Sequence, residues 1–444
     1  MKATIATNRF GLGANEGEIN QAMDDPKTWL LNQLNSEPVI TFNKELNDLS
    51  AISNTFLDYK QQKSETKDKE KLNEIKKAER AFFRDNFRSL SADLVYQSIQ
   101  SNNSLNYRLL DFFSNHFSVT ANNKQMRAFA PYLEREAIAN NMLGQFNELL
   151  LSVYQHPAML FYLNNEKSYG PNSRQGKKGR GLNENLAREI LELHTLGVDG
   201  GYTQSDVYEL ALGISGWSIA RPKKNRGIGF QFKGYGHEPG ERTLLNKNFP
   251  QKGLDQGKAM INYLANHPST AQFVCTKLVV HFISDKPNEI LVERLTKRWL
   301  ETQGNIKAVM TELINAEEAW QPEKQKFKTP REYVVSTLRA TNLEKVKTNQ
   351  ILSVLRRLGQ QPFNAGSPKG YSDKETDWNG SSALMARIDL ASMLSSRYKL
   401  NAEKFIKNAL GESIDDSVYK RVIRAESRQQ AMVLALMSPD FQRR

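Results

Sequence analysis

The sequence predicts a mainly α protein: a multi-helix globular array with one small β-hairpin excursion near residues 227–245. Three observations predict it. Apolar residues recur at three- and four-residue steps through most of the chain, as in Leu94, Val95, Ile99 and Leu109, Leu110, Phe113, Phe117. Prolines stand where helices start, at Pro26, Pro157 and Pro268. Only Gly-Phe-Gln-Phe-Lys-Gly-Tyr-Gly-His-Glu-Pro-Gly, ending at Gly240, reads as short strands and turns.

In chain order, Leu30, Leu31 and Leu34 open an amphipathic helix after Pro26. Residues 60–80 alternate Lys and Glu at helical spacing and predict a solvated helix or a charged arm. Gln155-His156-Pro157 and Asn266-His267-Pro268 each end one helix and begin the next, which makes both histidines boundary residues first and ligands second. Glycine-rich basic loops carry Arg174, Lys177, Lys178 and Arg180, then Arg221, Lys223, Lys224 and Arg226. Helical spacing resumes at Leu254 and breaks in the Gly- and Pro-containing stretch 359–380. The coarse parts are 1–89, N-terminal helices with the charged arm; 90–220, a helical core; 221–253, the basic loop and β excursion; and 254–444, a C-terminal helical part.

The chain has 444 residues, enough for two or three packed helical subdomains, and 39% of them are hydrophobic. No apolar run approaches the roughly 18 residues of a membrane span. The start lacks the roughly 7–15 apolar residues of a secretory signal, so the chain as written is expected in the cytoplasm, with export as the alternative if the start is truncated. A single cysteine, Cys275, excludes an internal disulfide and a cysteine zinc cage, and its apolar neighbours predict a core thiol. The net charge of +12 favours an anionic ligand without choosing one. Nucleic acid is the least favoured partner, because no recognised binding module is present.

The densest polar stretch is Gly181-Leu-Asn-Glu-Asn-Leu-Ala-Arg-Glu-Ile-Leu-Glu-Leu-His-Thr-Leu-Gly197. It predicts a helix over 182–197, of about four turns, with Asn183 as N-cap and Gly197 as the stop. Leu186, Ile190, Leu193 and Leu196 form its buried stripe, and Glu184, Arg188 and Glu192 an ion ladder. Glu189, Glu192 and His194 are catalytic candidates as a carboxylate–imidazole group. Their spacing fits neither the helical di-iron nor the zincin pattern, so further ligands would have to come from His116, His156 or His237. A divalent metal is a candidate cofactor of unknown identity. His237 and Glu238, in a turn with Arg242, are the other catalytic candidates. Arg180, Arg188 and Arg242 are the candidate substrate-binding cations. Thr203 and Asp206 resemble a capping box that opens the next helix, and His116, among Phe112, Phe113 and Phe117, reads as a core histidine.

The Gly181–Gly197 stretch, with Asn8-Arg-Phe-Gly-Leu-Gly13, Asn115-His-Phe117, His156-Pro-Ala-Met159, His237-Glu-Pro-Gly240 and Ala383-Leu-Met-Ala-Arg387, occurs in the order seen in the bacterial domain-of-unknown-function 1800 family, which the chain resembles. The resemblance spans nearly the whole chain and implies a single family-type unit over 1–444. It supplies no catalytic residues to carry over. It implies a co-encoded protein partner, and family members often look exported. Here Phe113 and Ser114 stand where the family often has Trp-His before Asn115. Three functions are weighed in this order: an interaction partner or scaffold working with a co-encoded protein, a metal-assisted hydrolase of an anionic substrate, and a nucleic-acid-binding protein.

Overall fold

A computed structural model describes residues 1–220, 222–223, 227–343 and 348–444. Arg221, Lys224 and Arg226 of the second basic loop lie outside the described residues. The architecture is mainly α. Helix α1 (Pro26–Gln33) begins on Asp25, whose carboxylate caps Thr28 N–H, with Pro26 in the first turn. The charged stretch forms α2 (Leu49–Glu65) and the 32-residue α3 (Lys69–Gln100). The first part of α3 is solvated; its last turns bury Leu90, Leu94, Val95 and Ile99. Next come α4 (Ser104–His116), α5 (Lys124–Tyr132) and α6 (Phe146–Gln155). Pro131 lies inside α5, and the chain widens into a π turn at Leu133–Ile138 directly after it.

His156 and His267 are helix caps. Each imidazole Nδ1 accepts the N–H two residues on, from Ala158 at 3.1 Å and Ser269 at 3.2 Å. Helix α7 (Gln204–Gly213) opens on the complete Thr203–Asp206 capping box. The β excursion is larger than the sequence suggests. It begins at β1 (Trp217–Ala220), pairs antiparallel with β2 (Gly229–Phe232), and adds the hairpin β3 (Arg242–Leu244) and β4 (Lys247–Phe249). Leu245 and Asn246, both at positive φ, make the two-residue turn whose twist suits a hairpin. All four residues of β1 are buried, so it lacks the alternation that would have marked it.

Helices α8 (Leu254–Ala265), α9 (Pro268–Phe282), α10 (Glu289–Glu301) and α11 (Ile306–Asn315) follow, with α9 on α10 and α10 on α11. Then come α12 (Pro330–Thr341), α13 (Thr348–Arg357), α14 (Ser381–Arg397), α15 (Ala402–Leu410), α16 (Asp416–Ile423) and α17 (Arg428–Leu436). Buried apolar side chains from the first turn to Phe441 join in one cluster. Cys275 is buried in it. No helix among the described residues is long and apolar enough to cross a membrane.

Candidate functional site

The polar stretch 182–197 is not one regular helix. It is α-helical over Asn185–Glu189 and then opens into a π turn over Ile190–His194. The extra residue in that turn shifts the buried face, so Leu191 and His194 go inside where Leu193 was expected. Asn183 accepts the Asn185 N–H at 2.8 Å, and Gly197 leaves the helix at φ 83°. Arg188 pairs with Glu184 at 3.3 Å, and Gln204 bridges the two side chains. Glu189 is half-buried; burial and then Glu192 raise its carboxyl above the usual range.

His194 turns away from these carboxylates into an aromatic interior of Phe117, Tyr154 and His116. Burial, with help from the Lys277 charge, drives its pKa down to about 3, and neither ring nitrogen has a partner among the described residues. His237 bonds through Nδ1 to Ser215 O at 3.0 Å, and Arg242 lies 3.6 Å from Glu209. The Glu238 carboxylate accepts from Asn172 N and Nδ2 at 2.8 and 2.6 Å. The Arg180 guanidinium lies over the Tyr169 ring. Among the described residues no hydrogen bond, ion pair or ring contact joins Glu189, Glu192 or His194 to His237 or Glu238. Nor are any three His, Cys, Asp or Glu side chains among them placed to hold a metal ion.

The structure instead builds a polar seam between α4 and α9. Arg108, Phe112 and His116 are four residues apart and share one face of α4; Lys277 and His281 share one face of α9. Lys277 Nζ donates to His116 Nδ1 at 2.9 Å, and His116 Nε2 then donates to His194 O at 3.0 Å. The Phe112 ring lies 5.4 Å from that of His281. Arg108 donates to Gly11 O at 2.8 Å and is paired with Glu332. Arg444 reaches the same carboxylate at 2.8 Å. Burial alone would raise the Glu332 carboxyl, but Arg444 and Arg108 outweigh it and hold it well below the usual range.

At one end the seam opens into a cavity of about 100 Å³, lined by residues that include Arg108, Asp111, Glu134, His281, Arg331, Glu332 and Asp373. By volume it holds several waters or a small polar group. Asp373 Oδ1 accepts from His281 Nδ1 at 2.8 Å, which fixes the imidazole tautomer and leaves the lone pair on Nε2. Nε2 is buried and has no partner among the described residues. Burial lowers the His281 pKa and Asp373 opposes it, so the ring is largely neutral at pH 7. Glu134, on the π turn after Pro131, is the second titrating group. Burial pushes its carboxyl up to about 7, against the pull of Arg331 and with a push from Asp111. Arg331 is itself bound to Asp111, through Nε at 2.8 Å.

A family model described as a protein of unknown function (DUF1800) matches residues 5–443. The chain belongs to this family. No curated protein and no solved structure matches it. The family therefore brings no assigned chemistry to the cavity, which has to be read from its own residues. Glu134, His281 and Asp373 did not stand out in the sequence. His281 and Asp373 are 92 residues apart, and the one visible signal was the irregular stretch 359–380 that carries Asp373. Desolvation of Glu134 is a tertiary effect with no local motif.

Proposed function

We propose that this family member is a hydrolase that works by acid–base chemistry in the α4–α9 cavity. The observation that carries the reading is a carboxyl poised near 7 in the same cavity as a carboxylate-oriented imidazole. In the proposed step, His281 Nε2 takes a proton from water as the water oxygen bonds to the substrate. Glu134 gives its proton to the departing atom as that bond breaks. Asp373 holds the imidazole tautomer and steadies the imidazolium that forms. Solvent then removes the proton from His281 and returns one to Glu134. The test is a panel of chromogenic carboxylate esters, phosphate and sulfate esters and glycosides, run with wild type, Glu134→Gln and His281→Gln. At least one substrate should be turned over, with kcat/KM falling roughly 100-fold or more in each folded variant. No turnover by wild type, or wild-type turnover by either folded variant, overturns the reading.

A second reading, action with a partner protein, is favoured by apolar side chains exposed on the C-terminal helices. Met385 on α14 and Ile423 on α16 are 56% and 52% exposed. It places the partner contact there rather than in the cavity, and the two readings are compatible.

A further inference from the structure

A second concave site adjoins the cavity. It is a groove of about 520 Å³ between α3, α5 and α13, lined by Arg84, Arg88, Arg127 and Arg356, with Phe87 among its other lining residues. No Asp or Glu is among its described lining residues. Asp85 partly offsets two of the cations, at 2.8 Å from Arg84 and 3.9 Å from Arg88. Arg127 and Arg356 are exposed, and their guanidinium groups make no hydrogen bond or ion pair among the described residues. Arg84 also borders a hollow that continues along α3 past Lys76, Lys77 and Arg80.

Like charges on three helices repel, and no carboxylate among the described residues of its walls relieves Arg127 or Arg356. An anion would relieve them. Guanidiniums present a planar fork of donors that matches phosphate, sulfate and carboxylate oxygens two at a time. Phe87 and Phe363, with ring centres 5.9 Å apart, give the carbon part of a ligand an apolar surface. The volume falls in the range of about 300–1,000 Å³ typical of small-molecule sites, which favours a compact ligand over a polymer.

The groove and the cavity share a wall. Gln361, Pro362, Phe363 and Asn364 line both. Phe363 sits at φ 55°, and its carbonyl accepts from Ala121 N at 2.9 Å, so the wall is tied to the segment after α4. We infer that the groove binds a small organic anion carrying two or more phosphate, sulfate or carboxylate groups, held by Arg127 and Arg356 with its far end directed at the Glu134–His281 cavity. This names the substrate class of the proposed hydrolase and rests on that reading for the role of the cavity, but anion binding itself does not depend on it.

The experiment therefore reads binding rather than turnover. Tripolyphosphate, a polysulfated disaccharide and a single-stranded oligonucleotide are titrated calorimetrically into wild type, an R127Q/R356Q double variant, and a K286Q/K297Q control that removes two exposed charges outside the groove. The expected result is saturable 1:1 binding of at least one small anion, weakened tenfold or more in R127Q/R356Q and unchanged in the control. Turnover of the substrate panel is measured separately on the same preparations, so failed binding and failed catalysis remain separate results. Absent binding, or equal weakening in both double variants, overturns the inference. Binding of the oligonucleotide alone, lost in R127Q/R356Q, also overturns it and identifies a nucleic-acid interface instead. Raised salt should weaken genuine binding.

Discussion

Glu134 has a carboxyl whose charged form the protein disfavours, and the sign of that effect can be tested without a substrate. Its pKa rises from 4.5 to about 7 on folding, chiefly through burial. Between those values the folded state holds a proton that the unfolded state has released. Stability contributed by this group is therefore present below pH 4.5 and lost as pH rises towards 7. Glutamine keeps the shape and has no charge to desolvate. Chemical denaturation at pH 4, 6 and 8 should show Glu134→Gln equal to wild type at pH 4 and more stable by about 2 kcal/mol at pH 8, a figure discounted for water in the cavity. A difference that does not change with pH would mean the carboxyl is solvated and would remove the acid from the proposed step. Sequence alone could not reveal this residue, because nothing in Leu-Glu-Arg-Glu marks which glutamate is desolvated.

Helix α12 concentrates two jobs in its first turn. Thr329 and Glu332 form a reciprocal capping box, with Glu332 Oε2 accepting Thr329 N–H at 2.8 Å. The other oxygen of the same carboxylate neutralises Arg108 and Arg444, both almost fully buried. Glu332→Gln can keep the cap and loses the charge, leaving two guanidiniums in the interior without their counter-ion. It should cost about 3–5 kcal/mol in urea unfolding, and Glu332→Ala about 1 kcal/mol more through the lost cap. Costs below about 1 kcal/mol for the glutamine variant would show that water already solvates the pair. Local devices of this kind are legible in sequence: Thr203–Asp206, His156-Pro157 and His267-Pro268 all read correctly as helix boundaries because their chemistry spans a few residues. The π turn at Ile190–His194 was not legible. An apolar pattern of period 3.6 contains no mark for one added residue, and that residue decides whether Leu193 or Leu191 and His194 face inward. The α4–α9 seam was hidden for a different reason, since each helix shows only its own half of the contacts.

For the whole molecule, the distribution of histidines fixes the response to acid. Of six histidines, His116, His194, His237, His267 and His281 have lowered pKa values, each chiefly through burial. A histidine kept neutral in the fold and charged near 6.5 when unfolded contributes stability that is present above 6.5 and lost as pH falls towards its folded pKa. The effect is strongest for His194, at about 3, and for His116, also well below its usual range. Near pH 5 the unfolding protein should therefore take up more than one proton, less the fraction that Glu134 releases. His194→Leu tests one of these two contributions: it fills the aromatic pocket with an apolar side chain and removes one titrating group. Calorimetric unfolding in buffers of different ionisation enthalpy should show uptake at pH 5 lower by about one proton in the variant, with no difference at pH 8. The variant's thermal midpoint should also fall less between pH 7 and pH 5. Equal uptake in both proteins would mean His194 is already charged in the fold, and the polar stretch 182–197 would then return as a candidate ionic centre alongside Glu189 and Glu192.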